Sequence, residues 1–296
     1  MGKIIELNNV NLNKIQETFI EYLDVNELTI KSYKDGISHF IEYLDRNDIK
    51  KPTRLDFKAF REELKQNMKV NTVNSYLTAN RCFFKYLETN GIYPNITKDV
   101  KNLKSSNVPT RQTLSKEKCK EIYQSLTDKR EKLVFSLAIT TGLRANEIAL
   151  AKIDNIKIYN DEVVLFVKCK KRDDENEYVK LSQQVLDDIN NYIEQRTNGY
   201  IFISTSNNNN GGGVTSTTIR NIVKSILRRF GYDEDGFSCH SLRRSMATIS
   251  YNNGADIVQI QQVLHQHSIA TTRRYIQQCT RDNNKLEYEV ANAIIG

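Results

Sequence analysis

Arginine, histidine, lysine and tyrosine gather in four short segments of a 296-residue chain. In Thr141-Gly142-Leu143-Arg144-Ala145-Asn146-Glu147 a glycine closes an apolar helix and an arginine follows two residues later. Glu147 lies three residues past Arg144, within reach on one helical turn, where its carboxylate could hold the guanidinium in a fixed pose. In His240-Ser241-Leu242-Arg243-Arg244-Ser245, His240 and Arg243 are i, i+3 neighbours on a helix. Their convergence suits an anion, phosphate above all, because a guanidinium can bind two of its oxygens at once. Lys168-Cys169-Lys170-Lys171 ends a strand and enters a hairpin, from whose tip a lysine can reach into a groove. The stretch Leu264 to Tyr275 crowds His265, Gln266, His267, Thr271, Thr272, Arg273, Arg274 and Tyr275 into twelve positions. Positive charge from the neighbouring Arg273 and Arg274 favours ionisation of the Tyr275 hydroxyl. His265 and His267 also suggest a metal pair, but no carboxylate or cysteine stands at a matching helical offset.

Taken singly, each segment has a plain structural reading: a surface ion pair, a satisfied histidine beside solvated arginines, a basic strand end, an amphipathic helix. The elements around them narrow the choice. Ile30, Tyr33, Ile37, Phe40, Ile41 and Leu44 recur at helical spacing. Thr53 to Asp56 reads as a capping box ahead of Phe57, Phe60 and Leu64. Val73, Tyr76, Leu77, Phe83, Phe84 and Leu87 form another stripe that stops at Asn90-Gly91. With a helix near Ile15 to Leu23, the first hundred residues are predicted to hold four helices. A polar stretch with Pro94, Pro109 and Ser105-Ser106-Asn107 has linker composition. The expected organisation is therefore a helical domain over 1–100, a linker over 101–113 and a second domain over 114–296.

The second domain reads as mixed. Ser115 caps a helix running to about Leu126, and Leu133 to Ile139 lie in a more buried one that ends near Gly142. Ile156 to Tyr159, Val163 to Val167 and Tyr178 to Leu181 read as strands, with Lys171 to Glu177 a polar turn. Asn207 to Gly213 reads as a flexible loop; it lacks the Lys-Ser/Thr ending of a P-loop. Helices resume near Thr215. The fold class expected is mainly α with a small antiparallel β-sheet.

Composition sets the outer limits. Hydrophobic residues make up 39% and charged residues 27% of the chain, enough apolar mass for a packed core. The net charge of +7 divides evenly, +4 over residues 1–112 and +3 over 113–296, so a polyanionic partner would meet both halves rather than a basic tail. No stretch has the apolar length of a membrane span or of a secretory signal. Cys82, Cys119, Cys169, Cys239 and Cys279 are odd in number and scattered, which argues against a disulfide scaffold or zinc ribbon. A soluble, cytoplasmic protein is expected.

The four segments, in this order, resemble the tyrosine recombinase (phage integrase) family. That family joins an arginine from a Thr-Gly-Leu-Arg-x-x-Glu segment, a hairpin lysine, a His-x-Leu-Arg segment and a late Leu-Gly-His segment followed by tyrosine. The resemblance covers nearly the whole chain. It implies a helical core-binding domain, which clamps DNA, followed by a catalytic domain, as in small Xer-like or Cre-like members without an arm-binding domain. It also implies site-specific recombination through a 3′-phosphotyrosyl intermediate and a Holliday junction, with no metal, nucleotide or other cofactor. Tyr275 would be the nucleophile. Arg144 and Arg243 would stabilise the phosphate, Lys170 would protonate the leaving oxygen with Lys171 as the alternative, and His240 would take the tyrosine proton or orient the phosphate. Glu147 would support Arg144.

Two positions depart from the pattern. Nine residues before Tyr275, where the family has its second histidine, this chain has Gln266, with His265 and His267 on either side. Gln266 is assigned to the role, with His267 as the alternative, because the Thr271-Thr272 to Tyr275 register then fits without a gap. The hairpin Gly-Lys-Gly is replaced by Cys169-Lys170-Lys171. The partners implied are double-stranded DNA with inverted half-sites, a homo-tetramer on that DNA, accessory DNA-binding proteins as optional factors, and no membrane. Leu286, Val290, Ala293 and Ile294 form a final amphipathic stripe, which in the family docks into the next protomer of a cyclic tetramer. A type IB topoisomerase-like enzyme would share the nucleophile, and a DNA-binding protein that has lost catalysis would account for Gln266. The compact helical first domain and the final stripe favour the recombinase.

Overall fold

The computed structural model describes residues 12–104, 112–168, 177–205, 211–232, 236–266, 268–282 and 294. The chain divides into two compact units, Met1–Asn107 and Val108–Gly296.

The first unit is the four helices expected: α1 (Leu12–Tyr22), α2 (Glu27–Arg46), α3 (Arg54–Asn67) and α4 (Val70–Thr89). Their ends are set by side chains. Asn26 accepts the amide of Thr29 at 3.1 Å, and Thr53 and Asp56 form a reciprocal capping box, with Asp56 accepting the Thr53 amide at 2.7 Å. The stripes meet in an aromatic core of Phe19, Phe40, Phe57, Phe60, Phe83 and Phe84, all fully buried. Gly36 lets α2 lie against α4: a β-carbon there would stand 2.9 Å from the Tyr76 α-carbon. Asn80 uses that closeness, donating to the Gly36 carbonyl at 2.8 Å. Beyond α4 the chain stays tied to it, with Asn74 donating to the Leu103 carbonyl and accepting its amide.

The second unit runs α5 (Lys116–Ser125), α6 (Lys129–Thr141), α7 (Ala145–Leu150), β1 (Ile156–Tyr159), β2 (Glu162–Val167), β3 (Glu177–Lys180), α8 (Gln183–Ile193), α9 (Ser216–Arg229), α10 (Cys239–Asn252), α11 (Ile257–Val263) and α12 (Ile269–Asp282). Helix α6 is its axis. Leu133, Val134, Phe135, Leu137 and Ala138 are all buried, and α8, α9 and α10 pack around it. A helix apolar on every side must be enclosed in this way. The three strands form an antiparallel meander in chain order, with Leu165 opposite Ile156 on one side and Val179 on the other. Asn160 and Asp161, both at positive φ, make the tight turn between β1 and β2.

Three details differ from the sequence expectation. Glu177, read with the polar turn, opens β3 instead. Gly211 to Gly213, read as flexible loop, are pinned by a bridge between Gly213 and Ile203 and by the Ser204 amide on the Gly212 carbonyl. Helix α8 carries no clear sequence signal. Its apolar face of Val185, Ile189 and Ile193 also holds the buried carboxylate of Asp188, which accepts the Tyr123 hydroxyl at 2.9 Å. Burial and that carboxylate push the Tyr123 phenol up to about 12. The expected amphipathic stripe from Leu286 to Ala293 lies outside the described residues, as do residues 171–176 and 206–210.

Candidate active site

The site begins where α6 ends. Gly142 stops the helix at φ +67°, and a β-carbon on it would stand 2.6 Å from the Leu264 side chain. Leu143 is buried in the core, and Arg144 takes the N-cap position of α7. Glu147, three residues on, uses both oxygens. Oε2 accepts the Arg144 backbone amide at 2.7 Å and Oε1 accepts Arg144 Nη1 at 2.7 Å. The carboxylate is 3% exposed and the Arg144 side chain 33%, so this is no surface ion pair. The guanidinium is held at its root and presents its remaining edge outward.

Arg243 lies on α10 and is buried at 2% exposure. Nη1 donates to the Gly142 carbonyl at 2.5 Å and Nη2 donates to the Leu264 carbonyl. Nη1 also lies 4.0 Å from Glu147 Oε2, so one carboxylate stands between two guanidinium groups. Its Nε has no hydrogen-bond partner among the described residues. Burial and the Arg144 charge pull the Arg243 guanidinium below its usual range, while Glu147 and Tyr275 oppose that pull. An arginine stays protonated through such a shift at any working pH. One carboxylate shared by two guanidinium groups leaves the trio with a net positive charge, which suits a further anion.

Tyr275 comes to this place on α12, in the same chain. The Arg244 guanidinium carbon lies 6.0 Å from its ring centre, and Thr248 Oγ1 donates to its carbonyl at 3.4 Å. The sequence reading credited Arg273 and Arg274 with the charge around this ring. Arg273 is exposed, and among the described side chains the guanidinium set over the ring is that of Arg244 from α10. Adjacent residues on a helix point about 100° apart, so charge next to a tyrosine in sequence need not face it.

Gln266 occupies the corner between α11 and α12 and is buried. Thr272 Oγ1 donates to its Oε1 at 2.7 Å, which turns Nε2 away as a donor, and Nε2 is buried with no partner among the described residues. A buried donor left unpaired costs about 1–3 kcal/mol, which a phosphate oxygen would recover. His240 stands exposed on the first turn of α10. Lys170, Lys171 and His267 lie outside the described residues. The structure thus brings together Arg144, Glu147, Arg243, Gln266 and Tyr275. Sequence reasoning missed Arg244 and Thr272 as members; for Thr272 the signal was its place three residues before Tyr275, on the same helical face.

The geometry of Gln266 makes a specific substitution informative. A histidine there can accept the Thr272 hydroxyl through one ring nitrogen and donate through the other. Gln266→His is expected to keep or raise the yield of covalent protein–DNA adduct on a nicked duplex. A sharp fall would mean that the amide does something an imidazole cannot.

The family model described as the phage integrase family matches residues 112–281, and the one described as phage integrase, N-terminal SAM-like domain matches residues 12–92. The chain therefore belongs to the phage integrase family, the tyrosine recombinases, enzymes of site-specific recombination on DNA. Among its relatives, tyrosine recombinase XerC of Staphylococcus epidermidis is 25% identical over 285 residues, covering 89% of this chain and 92% of that one. Tyrosine recombinase XerA of Pyrococcus furiosus is 26% identical over 273 residues, covering 89% of each. Among solved structures, XerH bound to a palindromic difH substrate in a post-cleavage complex aligns with a TM-score of 0.72 at 21% identity, covering 97% of this chain and 86% of that one. A lambda integrase tetramer bound to a Holliday junction aligns at 0.70 with 17% identity, covering 92% and 78%. Among the described residues, no helix is long and apolar enough to cross a membrane.

Proposed function

We propose that this recombinase breaks and rejoins DNA by attack of the Tyr275 hydroxyl oxygen on a backbone phosphorus. The new bond joins the tyrosine oxygen to the 3′-phosphate, and the bond to the 5′-oxygen breaks. Arg144 and Arg243 stabilise the negative charge on the non-bridging oxygens, with the Gln266 amide as a further donor. His240 takes the tyrosine proton, and Lys170 delivers one to the leaving 5′-oxygen, with Lys171 as the alternative. Glu147 keeps Arg144 in place. The energy of the broken ester is kept in the phosphotyrosine, so a 5′-hydroxyl from a second duplex reverses the step without ATP.

Repeated on the second pair of strands, the exchange passes through a Holliday junction in a homo-tetramer. Inverted half-sites flanking a short spacer match that symmetry. The helical domain and the catalytic domain both hold the duplex, joined by the linker, with much of the affinity from phosphate contacts. The stripe from Leu286 to Ile294 docks on a neighbouring protomer. Accessory DNA-binding proteins act as optional factors, and the enzyme works on cytoplasmic, nucleoid-associated DNA.

The observation that carries this reading is the seating of Tyr275, within one chain, against the helix that bears Arg243: the Arg244 guanidinium lies 6.0 Å from its ring centre and Thr248 donates to its carbonyl. The test is a plasmid bearing two copies of the sequence that the protein protects, incubated in EDTA. Recombinant product is expected without added metal. Relaxed plasmid alone would mean a topoisomerase-like activity, and a strict need for a divalent ion would revive the histidine metal pair.

A further inference from the structure

We infer that His265 is a positioning residue for the proton donor, clipping the strand that returns from the lysine-bearing hairpin to the corner that holds Arg243 and Gln266. The inference rests on the function proposed above.

His265 has φ +46°, a left-handed conformation that glycine adopts freely and other residues adopt at a cost. The family motif that this chain resembles has glycine here, so the histidine is a departure that the backbone does not favour. Its ring accounts for it. The side chain is 4% exposed. Nε2 donates to the Tyr178 carbonyl at 3.1 Å and lies 3.8 Å from the Glu177 carboxylate. Both are residues of β3, 87 and 88 positions earlier in the chain.

Each end of this link is rigid. On the corner side, the Leu264 carbonyl is held by Arg243, the Gln266 carbonyl accepts Gln261 Nε2 at 2.8 Å, and the Gln266 side chain accepts Thr272. On the sheet side, Tyr178 pairs with Phe166 and Glu177 with Val167, the last residue of β2. The link therefore grips the root of the hairpin, and Lys170 follows Val167 by three residues. Arg243 is carried by α10 and Gln266 by the corner between α11 and α12, whereas Lys170 falls in sequence between β2 and β3. His265 joins that corner to the sheet.

Such a residue acts on one event, protonation of the leaving 5′-oxygen. A duplex with sulfur in place of that bridging oxygen separates the event from the rest. When the phosphorus–sulfur bond breaks, the thiolate leaves without a proton, because a thiol has a pKa near 8.5. An ordinary alkoxide must be protonated as it leaves. Glycine suits the left-handed backbone, so His265→Gly keeps the fold; His265→Asn, which also tolerates that conformation but lacks the ring, serves as the second variant.

The measurement is the single-turnover rate of covalent adduct formation on nicked duplexes with either bridging atom. Both variants are expected to be slower than the parent on the oxygen substrate by about ten- to a hundredfold, as displacement of a catalytic group by an ångström or less would cause. Both are expected to match the parent on the sulfur substrate. Parent-like rates on oxygen, or an equal loss on both substrates, would overturn the inference. Absence of adduct with the parent protein on either duplex would instead overturn the proposed function, and the inference with it.

Discussion

Tyr275→Phe is expected to fold as the parent does, bind the same duplex and form no covalent adduct with it. The substitution removes one oxygen and leaves the ring against Arg244. Arg243 keeps the Gly142 and Leu264 carbonyls, so the corner of the site stays built. The stability change should stay within about 1 kcal/mol, the scale of one hydrogen bond. The rate should fall by on the order of a millionfold, as for loss of a covalent nucleophile elsewhere, and so below detection. Denaturing gel electrophoresis after incubation with a nicked duplex checks it, with thermal melting and a mobility shift as controls. A variant that binds and still forms adduct would place the nucleophile at another residue.

Arg243→Lys is expected to bring the second largest loss, and it divides into two effects. The guanidinium forks between two carbonyls 122 residues apart in sequence, those of Gly142 and Leu264. A lysine offers a point charge on a single stem and cannot span that fork. One carbonyl then loses its partner at a cost of about 1–3 kcal/mol, read as a lower melting temperature. The developing charge on phosphate loses a fixed donor as well, worth roughly 3–4 kcal/mol, or 10²–10³ in adduct rate. Measuring the rate well below the melting transition keeps the two apart. A variant with an ordinary melting temperature and an unchanged rate would remove Arg243 from the site.

The same fork marks the limit of what could be read from the residues alone. Helices α2, α3 and α4 were legible because each buries one face, and burial on one face leaves a period of about 3.6 in the sequence. The capping box at Thr53 was legible because it is a contact between residues three apart. Helix α8 was not, since polar residues crowd Val185, Ile189 and Ile193 and a buried aspartate interrupts their stripe. The residues of the site could be named from the order of their motifs. How they are held could not, because Arg243 is fixed by backbone carbonyls, which every residue carries. Among the described residues the guanidinium over Tyr275 is that of Arg244 on α10, whose sequence neighbourhood says nothing of the tyrosine. His265 shows the same limit at a single residue: its left-handed backbone and its contact with β3 depend on a tertiary corner with no local signature.

The measurement that bears most directly on the central claim is mapping of the covalent linkage. Adduct trapped on a nicked duplex would be digested with protease and nuclease, and the modified peptide sequenced by mass spectrometry. The account predicts nucleotide joined through a 3′-phosphate to the oxygen of Tyr275. A linkage through a 5′-phosphate, or to any residue other than Tyr275, would contradict it.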